Sequence, residues 1–528
     1  MVFQSLQKLQ IHCSQTEVPN IALLGSGGGQ RAMVGLLGSL VELDKAGLLD
    51  CILYLSGVSG STWCMASLYQ EPDWSTKLDD VNAEIIKRLS GPKVTWRDAY
   101  FKLMKYYNEK DFFSLTDVWA VMVVTKYVKE IDELTLTDHW DHLSEDPFPI
   151  YTVIDKHCKQ EEKGDKADPW FEISPYEAGY SLIGAFVGTS SFGSQFDKGS
   201  EKKTQPEMDM LYLQALCGSA LADGVENIKF LWEMIKDFFH HLTPIIELEM
   251  FEEIKKDPND PPVYKCYQVL MDLVDMNLAV LNGKDHSDLD QSITKTLKEL
   301  DEGKCHPIFP GKNGDLGEKQ AAKCTEDVCT HLSDLFHSER CDVLMWIRIC
   351  RCMARWIWGR TYNFLHKMTD KTVPPALLES ETRDYEDAGL LNNSPYFSVL
   401  RQERNIDLII SLDFSDGDPF ETVTETYKLC DKLNIPFPEV SIPKEELNKP
   451  KDFYVFKGQN VPTVIHIPLF NVVNYHIETW RRNYCFLHGA YCAKKINDLM
   501  EVAGKNISNN REKLLDEIRA AIKQKRHD

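Results

Sequence analysis

Apolar positions near the start of the chain fall into two strand–turn–helix patterns. The run Ile21–Leu24 is four apolar residues closed by Gly25, the length and character of a short buried strand. Past the turn, Met33, Leu36, Leu37 and Leu40 stand at i, i+3, i+4 and i+7, one apolar face of a helix. The pattern then repeats, with Cys51–Leu55 predicted as a strand and the mostly apolar Thr62–Tyr69 as a helix.

Further along, 70–170 reads as mainly helical, with Pro147–Ile154 as an extended strand. Gly- and Ser-rich turns follow between Tyr180 and Ser200. From 223 to 345 the character changes. Helical segments such as Phe230–Leu242 and Ile246–Lys256 alternate with Pro, Asp and Lys turns and carry no chemical motif, so this stretch is the expected inserted cap or lid. Two apolar strands are predicted around Ile406–Leu412 and Thr463–Ile467 before charged helices close the chain. In Arg511–Arg526, Leu514, Leu515, Ile518 and Ile522 share one face, as in a packed terminal helix.

Composition narrows the classes. The 528 residues are 43% hydrophobic and 27% charged, the balance of a globular protein, and suffice for one large domain or two to three ordinary ones. A net charge of -22 argues against nucleic acid as a partner and against bulk electrostatic capture by anionic membranes. No run of 18 uncharged apolar residues is present to span a bilayer. The 15 cysteines, scattered and without a leading cleavable signal, read as reduced thiols of a cytoplasmic protein. Met1-Val2 lacks a myristoylation glycine and Lys525–Asp528 lacks a prenylation box, so no lipid anchor is expected.

The chemistry concentrates in the first two turns. Ser59, flanked by Gly57 and Gly60 between a strand and a helix, has the form of a nucleophile elbow. Gly27, Gly28 and Gly29 offer backbone N–H groups for an oxyanion, and Arg31 just beyond can hold a phosphate. The Gly-rich turn is not a dinucleotide fingerprint, since Gln30 takes the third glycine's place and Ser56-Gly57 stand where the acidic residue belongs. Nor does a Lys-Ser/Thr pair follow it.

Together, Gly-Ser-Gly-Gly-Gly-Gln-Arg-Ala (25–32) and Ser-Gly-Val-Ser-Gly-Ser-Thr-Trp (56–63) resemble the signature of the cytosolic (group IV) phospholipase A2 catalytic domain. The stretches 170–179, 192–196, 387–390, 408–415 and Pro436-Phe437-Pro438 resemble that family too, most closely its short gamma-type, calcium-independent members. The resemblance covers about residues 20 to 475. With the patterning it gives an α/β fold, a central mixed sheet flanked by helices, with the helical cap or lid at 223–345 inside a single catalytic domain spanning 1–528. With the Gly-rich turn beginning at residue 25, no calcium-dependent lipid-binding module is expected ahead of it. The acidic loop 413–418 lacks the ligand alternation and terminal Glu of an EF-hand.

Ser59 needs a base. In the order Ser…Asp…His, Asp387 or Asp413 would orient His466. The resemblance instead implies a Ser-Asp dyad in which Asp387, in its Asp-Ala-Gly turn, contacts the serine directly. Composition alone makes Asp387 a turn residue. Ser61, in place of the second glycine of the hydrolase elbow, also favours the dyad. The implied activity is hydrolysis of the sn-2 ester of glycerophospholipids through an acyl-serine. Gly28 and Gly29 would hold the oxyanion and Arg31 the phosphate, and lysophospholipase and transacylase reactions are possible. Expected partners are glycerophospholipids and lysophospholipids met by reversible contact with a membrane surface. No cofactor and no metal are expected. The alternatives are a triad carboxylesterase or lipase on soluble or neutral esters, and a non-catalytic lipid-binding protein.

Two further stretches have competing readings. Cys305, His306, Cys324, Cys329, His331, His337 and Cys341 hint at zinc, but the spacing fits no common site and incidental thiols are favoured. Trp346, Trp356 and Trp358 with Arg348, Arg351 and Arg355 suit a helix lying on a bilayer, against a slightly favoured reading in which the arginines meet acidic partners within the protein.

Overall fold

The computed structural model describes residues 2–140, 144–160, 169–220, 225–253, 263–301, 317–336, 341–474, 477–485 and 489–526. The chain forms two compact units. One comprises Met1–Lys93, Val124–Ala220 and Thr361–Asp528, the other Val94–Val123 and Leu221–Arg360. The second takes in the segment 223–345 and adds Val94–Val123 to it.

The first unit is built on β1 (Ile21–Gly25), β2 (Tyr54–Gly57), β3 (Phe148–Asp155), β4 (Trp170–Ile173), β5 (Glu177–Tyr180) and β6 (Ala185–Gly188). A small hairpin, β7 (Gln195–Asp197) and β8 (Ser200–Lys203), stands apart, and β9 (Arg360–Tyr362) and β10 (Thr382–Asp387) follow. The strands β11 (Leu408–Asp413), β12 (Tyr454–Phe456) and β13 (Thr463–Pro468) complete the set. The main sheet runs β12-β13-β11-β1-β2-β3-β4-β5-β6, with β10 also paired to β3. Its centre, β13-β11-β1-β2-β3, is parallel, and its flanks are antiparallel. It is the mixed sheet expected from the sequence.

Strands of a parallel centre are covered on both faces, which is why Ile21–Gly25 and Leu408–Asp413 are buried at every position. Helix α1 (Gly29–Lys45) and helix α2 (Gly60–Leu68) lie against them, with Met33, Leu36, Leu37 and Leu40 all buried as their spacing predicts. Helix α3 (Met210–Cys217), helix α4 (Ala493–Ser508) and helix α5 (Arg511–Lys525) complete the part that matters here. Leu514, Leu515, Ile518 and Ile522 turn inward from α5.

Two local expectations shift. The second strand starts at Tyr54 rather than Cys51, because pairing with β1 begins at Ala22↔Tyr54 and Leu49–Cys51 closes into a tight turn. The two helices read at 230–242 and 246–256 are one, Val225–Glu253, which runs through Pro244; Lys256 lies outside the described residues.

Within the second unit, the helix Cys341–Arg355 and the residues after it turn their aromatics inward, with Trp346 and Trp358 fully buried. Arg355 pairs with Glu326, and Arg351 donates to the Thr330 hydroxyl at 3.2 Å. This stretch is a packed helix rather than a bilayer face. Cys324 and Cys329 are buried, while Cys305, His306 and His337 lie outside the described residues. Among the described residues no group of three or more side chains is arranged to hold a metal, and no helix is long and apolar enough to cross a membrane.

Candidate active site

Two strands arrive head to head along one edge of β3. On that edge β2 pairs through Gly57↔Tyr151, and β10, running the opposite way, pairs through Asp387↔Val153. The other edge is occupied by β4 from Tyr151 to Ile154, so β2 and β10 must share this one. Only Thr152 separates the two ends, and its hydroxyl donates to Gly57 O at 2.7 Å. Two residues of strand span roughly 6.6 Å. The turn carrying Ser59 and the turn carrying Asp387 therefore face each other by construction.

Ser59 sits at φ 52, ψ -121, a backbone region that non-glycine residues seldom occupy. Such strain persists only where the surroundings enforce it. Here Val58 N–H is tied to Gly25 O at 3.0 Å, Thr62 N–H to Ser59 O at 2.9 Å, and the Ser61 hydroxyl to Ser26 O at 2.6 Å. Ser61, which breaks the hydrolase pattern, is thus the pin joining the elbow to the Gly-rich turn.

The Gly-rich turn depends on conformation. Gly28 and Gly29 have φ of 148° and 55°, and among the described residues their N–H groups have no hydrogen-bond partner. Gly29 opens α1, so its free N–H also stands at the positive end of a 17-residue helix. A Cβ placed on Gly27 would come 3.0 Å from the Ser59 Cβ, so the nest lies beside Ser59. Asn393 clasps this turn from the loop after β10: Gly27 N–H donates to Asn393 O, and Asn393 Nδ2 donates to Gly27 O, both at 3.0 Å.

Arg31 is 2% exposed and points back across the nest. Its Nε donates to Phe414 O at 2.6 Å, and its Nη1 to Tyr484 O at 2.8 Å and to Asp416 at 3.1 Å. Its Nη2 makes no hydrogen bond among the described residues and would lie 2.8 Å from a Cβ on Gly28. One edge of the guanidinium is therefore structural and the other faces the nest. These bonds also fix the acidic loop, whose Asp413 and Asp418 accept from Ser415, Thr422 and Phe420 within the loop and just after it.

Asp387 is completely buried. Burial is the main reason its carboxyl is pushed up to about 7, with Glu386 adding to the effect; the Gly389 N–H, the Ser59 hydroxyl and Lys159 pull the other way. Oδ1 accepts from Gly389 N–H at 2.8 Å, while Oδ2 has no aligned hydrogen bond among the described residues. The Ser59 hydroxyl is the side-chain donor within reach of this carboxyl. Its backbone N–H is held by the Ser219 hydroxyl at 3.1 Å, just beyond α3. The next pair along β10 is Glu386 with Lys159 at 3.3 Å.

His466 is placed elsewhere. It lies on β13, three strands from β2, a distance of about 14 Å at ordinary strand spacing. Its Nε2 is 2.6 Å from Pro419 O, which can only accept, and 4.0 Å from Asp413. Burial lowers the pKa of this ring, outweighing the pull of Asp413 and the Pro419 hydrogen bond. Asn393 and Ser219 were not legible as site residues, since an Asn and a Ser in loops carry no periodic or motif signal.

The fold and this geometry can be set beside known proteins. Residues 21–303 match the family described as lysophospholipase catalytic domain. The chain is 34% identical over 547 residues to cytosolic phospholipase A2 gamma of Mus musculus, covering 98% of this chain and 88% of the relative. It is 32% identical to the protein of the same name from Homo sapiens, covering 98% and 92%. The chain belongs to the cytosolic phospholipase A2 family. Among solved structures it resembles human GIVD cytosolic phospholipase A2, with a TM-score of 0.64 at 21% identity, which speaks to the fold. That match covers 99% of this chain and 63% of the solved one. A second structure of that protein, in complex with methyl gamma-linolenyl fluorophosphonate, gives a TM-score of 0.61.

Proposed function

We propose that this chain cleaves the sn-2 acyl ester of glycerophospholipids with a Ser59–Asp387 dyad. Its family makes it a phospholipid-hydrolysing enzyme; the roles below rest on the site. The observation that carries them is the meeting of a strained serine turn with a buried carboxyl whose pKa is raised to about 7.

Ionised Asp387 accepts the Ser59 proton as Oγ attacks the ester carbonyl carbon. Negative charge gathers on the former carbonyl oxygen, where the Gly28 and Gly29 N–H groups receive it. The protonated carboxyl then gives its proton to the departing glyceryl oxygen, releasing a lysophospholipid and leaving acyl-Ser59. Water repeats the sequence in reverse, with Asp387 again as base, and fatty acid leaves. A lysophospholipid can supply the acyl ester, as in lysophospholipase action, or replace water through its hydroxyl, as in transacylation. The inward-facing Nη2 of Arg31 suits the head-group phosphate. No step calls for a metal or cofactor.

The inserted segment 223–345 is the proposed cap or lid. A cytoplasmic protein fits the names of its relatives, and reversible contact with a membrane surface follows from the proposed phospholipid substrate. His466, with its Nε2 bonded to Pro419 O and its strand three away from β2, offers no support for a triad esterase. The test is labelling by a lipid fluorophosphonate, read by intact mass. Wild type should take up one equivalent at Ser59, and Ser59→Ala and Asp387→Asn should take up none. Full labelling of Asp387→Asn would refute the dyad.

A further inference from the structure

Arg31 is anchored more firmly than holding a phosphate requires. Its Nε bond to Phe414 O at 2.6 Å and its Nη1 bond to Tyr484 O at 2.8 Å already fix the guanidinium plane through two backbone carbonyls. Nη1 then makes a further bond, at 3.1 Å, to Oδ2 of Asp416. All four residues belong to the first unit. The Asp416 side chain is 45% exposed, and an ion pair so open to water adds little stability.

The other carboxylates of this loop are used within it. Asp413 accepts from Ser415 N–H and the Thr422 hydroxyl, and Asp418 accepts from Phe420 N–H. Of the three, Asp416 alone reaches the guanidinium. Its Oδ1 has no hydrogen bond among the described residues, and the loop tip beside it is open, since a Cβ on Gly417 would meet nothing within 4 Å. Lys495, a cation also close to Tyr484, is engaged with the Tyr484 and Tyr491 rings at 5.5 and 5.6 Å and with Asn483 O at 2.9 Å.

For a ligand that brings only negative charge, such a carboxylate is a handicap. It occupies a guanidinium donor and cancels part of the charge that attracts phosphate. For a zwitterion the effect changes sign. With phosphate on Nη2 and an ammonium beyond it, the ring Arg31, phosphate, ammonium, Asp416 alternates in charge and closes on itself. We infer that Asp416 makes the site selective for glycerophospholipids whose head group carries a cationic nitrogen beyond the phosphate, ethanolamine foremost. A primary ammonium has N–H donors for the free Oδ1, whereas choline offers charge alone. A glycerol head group carries no cation to set against Asp416.

The inference rests on the proposed phosphate role of Arg31. The experiment compares phosphatidylethanolamine with phosphatidylglycerol of the same acyl chains, each dilute in micelles of an uncharged detergent. Wild type should favour the ethanolamine lipid. Asp416→Asn keeps the size of the side chain and can still accept from Nη1. It should lower the ratio of the two kcat/KM values by roughly threefold to tenfold. Part of that change should be a gain on phosphatidylglycerol, which a loosened Arg31 would not produce. Asp416→Lys should invert the order of the two lipids. Equal losses on both lipids, or an unchanged ratio, overturn the inference and leave Asp416 a brace, with the phospholipid reading intact. Should wild type cleave an uncharged soluble ester but neither lipid, the phospholipid reading itself fails and the inference falls with it.

Discussion

Gly60 lies so close to Gly29 that a Cβ on it would come 1.8 Å from the Gly29 carbonyl oxygen. The serine elbow and the Gly-rich turn are therefore packed backbone to backbone, and the gap between them has no room for a side chain. Gly60→Ala should cost several kcal/mol or prevent folding, because neither backbone can move without opening the nest. Gly188→Ala, which meets nothing within 4 Å, is the matched control. Urea denaturation of the two variants checks this, and equal midpoints would show the turns to be adjustable.

Ser59 holds a left-handed backbone that glycine adopts freely. Ser59→Ala and Ser59→Gly should both be inactive, but the glycine variant should be the more stable by about 1 kcal/mol. Thermal melts of the pair measure the strain directly.

For Asp387 the sign follows from its direction of shift. A carboxyl raised from 3.8 to about 7 binds its proton more tightly in the folded chain than in the unfolded one. Its contribution to stability is thus fullest below pH 4, falls as pH rises between 4 and 7, and is absent above. That interval corresponds to roughly 4 kcal/mol. Asp387→Asn should therefore abolish turnover yet raise the melting temperature at pH 8 relative to wild type, with the advantage shrinking toward pH 4. In wild type, kcat/KM should climb with pH through an apparent value near 7, since the ionised form is the base. A profile flat from pH 5 to 9 would contradict both.

Arg31 has a structural duty and a proposed one toward phosphate, and a ratio separates them. Arg31→Ala removes bonds to Phe414, Tyr484 and Asp416, so the melting temperature should fall and every substrate should suffer. Loss of a charged hydrogen bond to phosphate, worth about 1.5–3 kcal/mol, adds a further tenfold to hundredfold on phospholipid alone. The measurement is kcat/KM for a phospholipid divided by that for an uncharged ester; an unchanged ratio would leave Arg31 a brace only.

His466→Gln should keep kcat/KM within a few-fold of wild type while lowering stability, because the ring's work is the Pro419 hydrogen bond in a buried strand. An inactive, folded variant would revive the triad.

The strands and helices nearest the site were legible because they are short, apolar and punctuated by glycine. Ile21–Leu24 and the face Met33–Leu40 needed only periodicity. Asp387 is different in kind, since nothing local distinguishes it from a turn aspartate and only likeness to a family pointed to it. Its environment comes from β3, a strand distant in sequence, and long-range pairing leaves no local trace. Ser219 and Asn393 escaped notice for the same reason. The Trp346–Trp358 stretch shows the converse limit: helical spacing places aromatics and arginines on faces, but which face meets Glu326 and which meets water is decided by neighbours far along the chain.

The shared edge of β3 also sets an order of events during synthesis. Ser59 and the Gly28–Gly29 turn emerge from the ribosome within the first sixty residues, but the strand that carries Asp387 comes only after Leu221–Arg360 has been made. Until β10 pairs with β3, in line with β2, the nascent chain holds Ser59 without the carboxyl proposed as its base. Such an intermediate cannot cut lipid wherever it happens to be. On the proposed dyad, activity thus certifies that β10 has paired with β3, and no separate inhibitor is needed before that pairing forms.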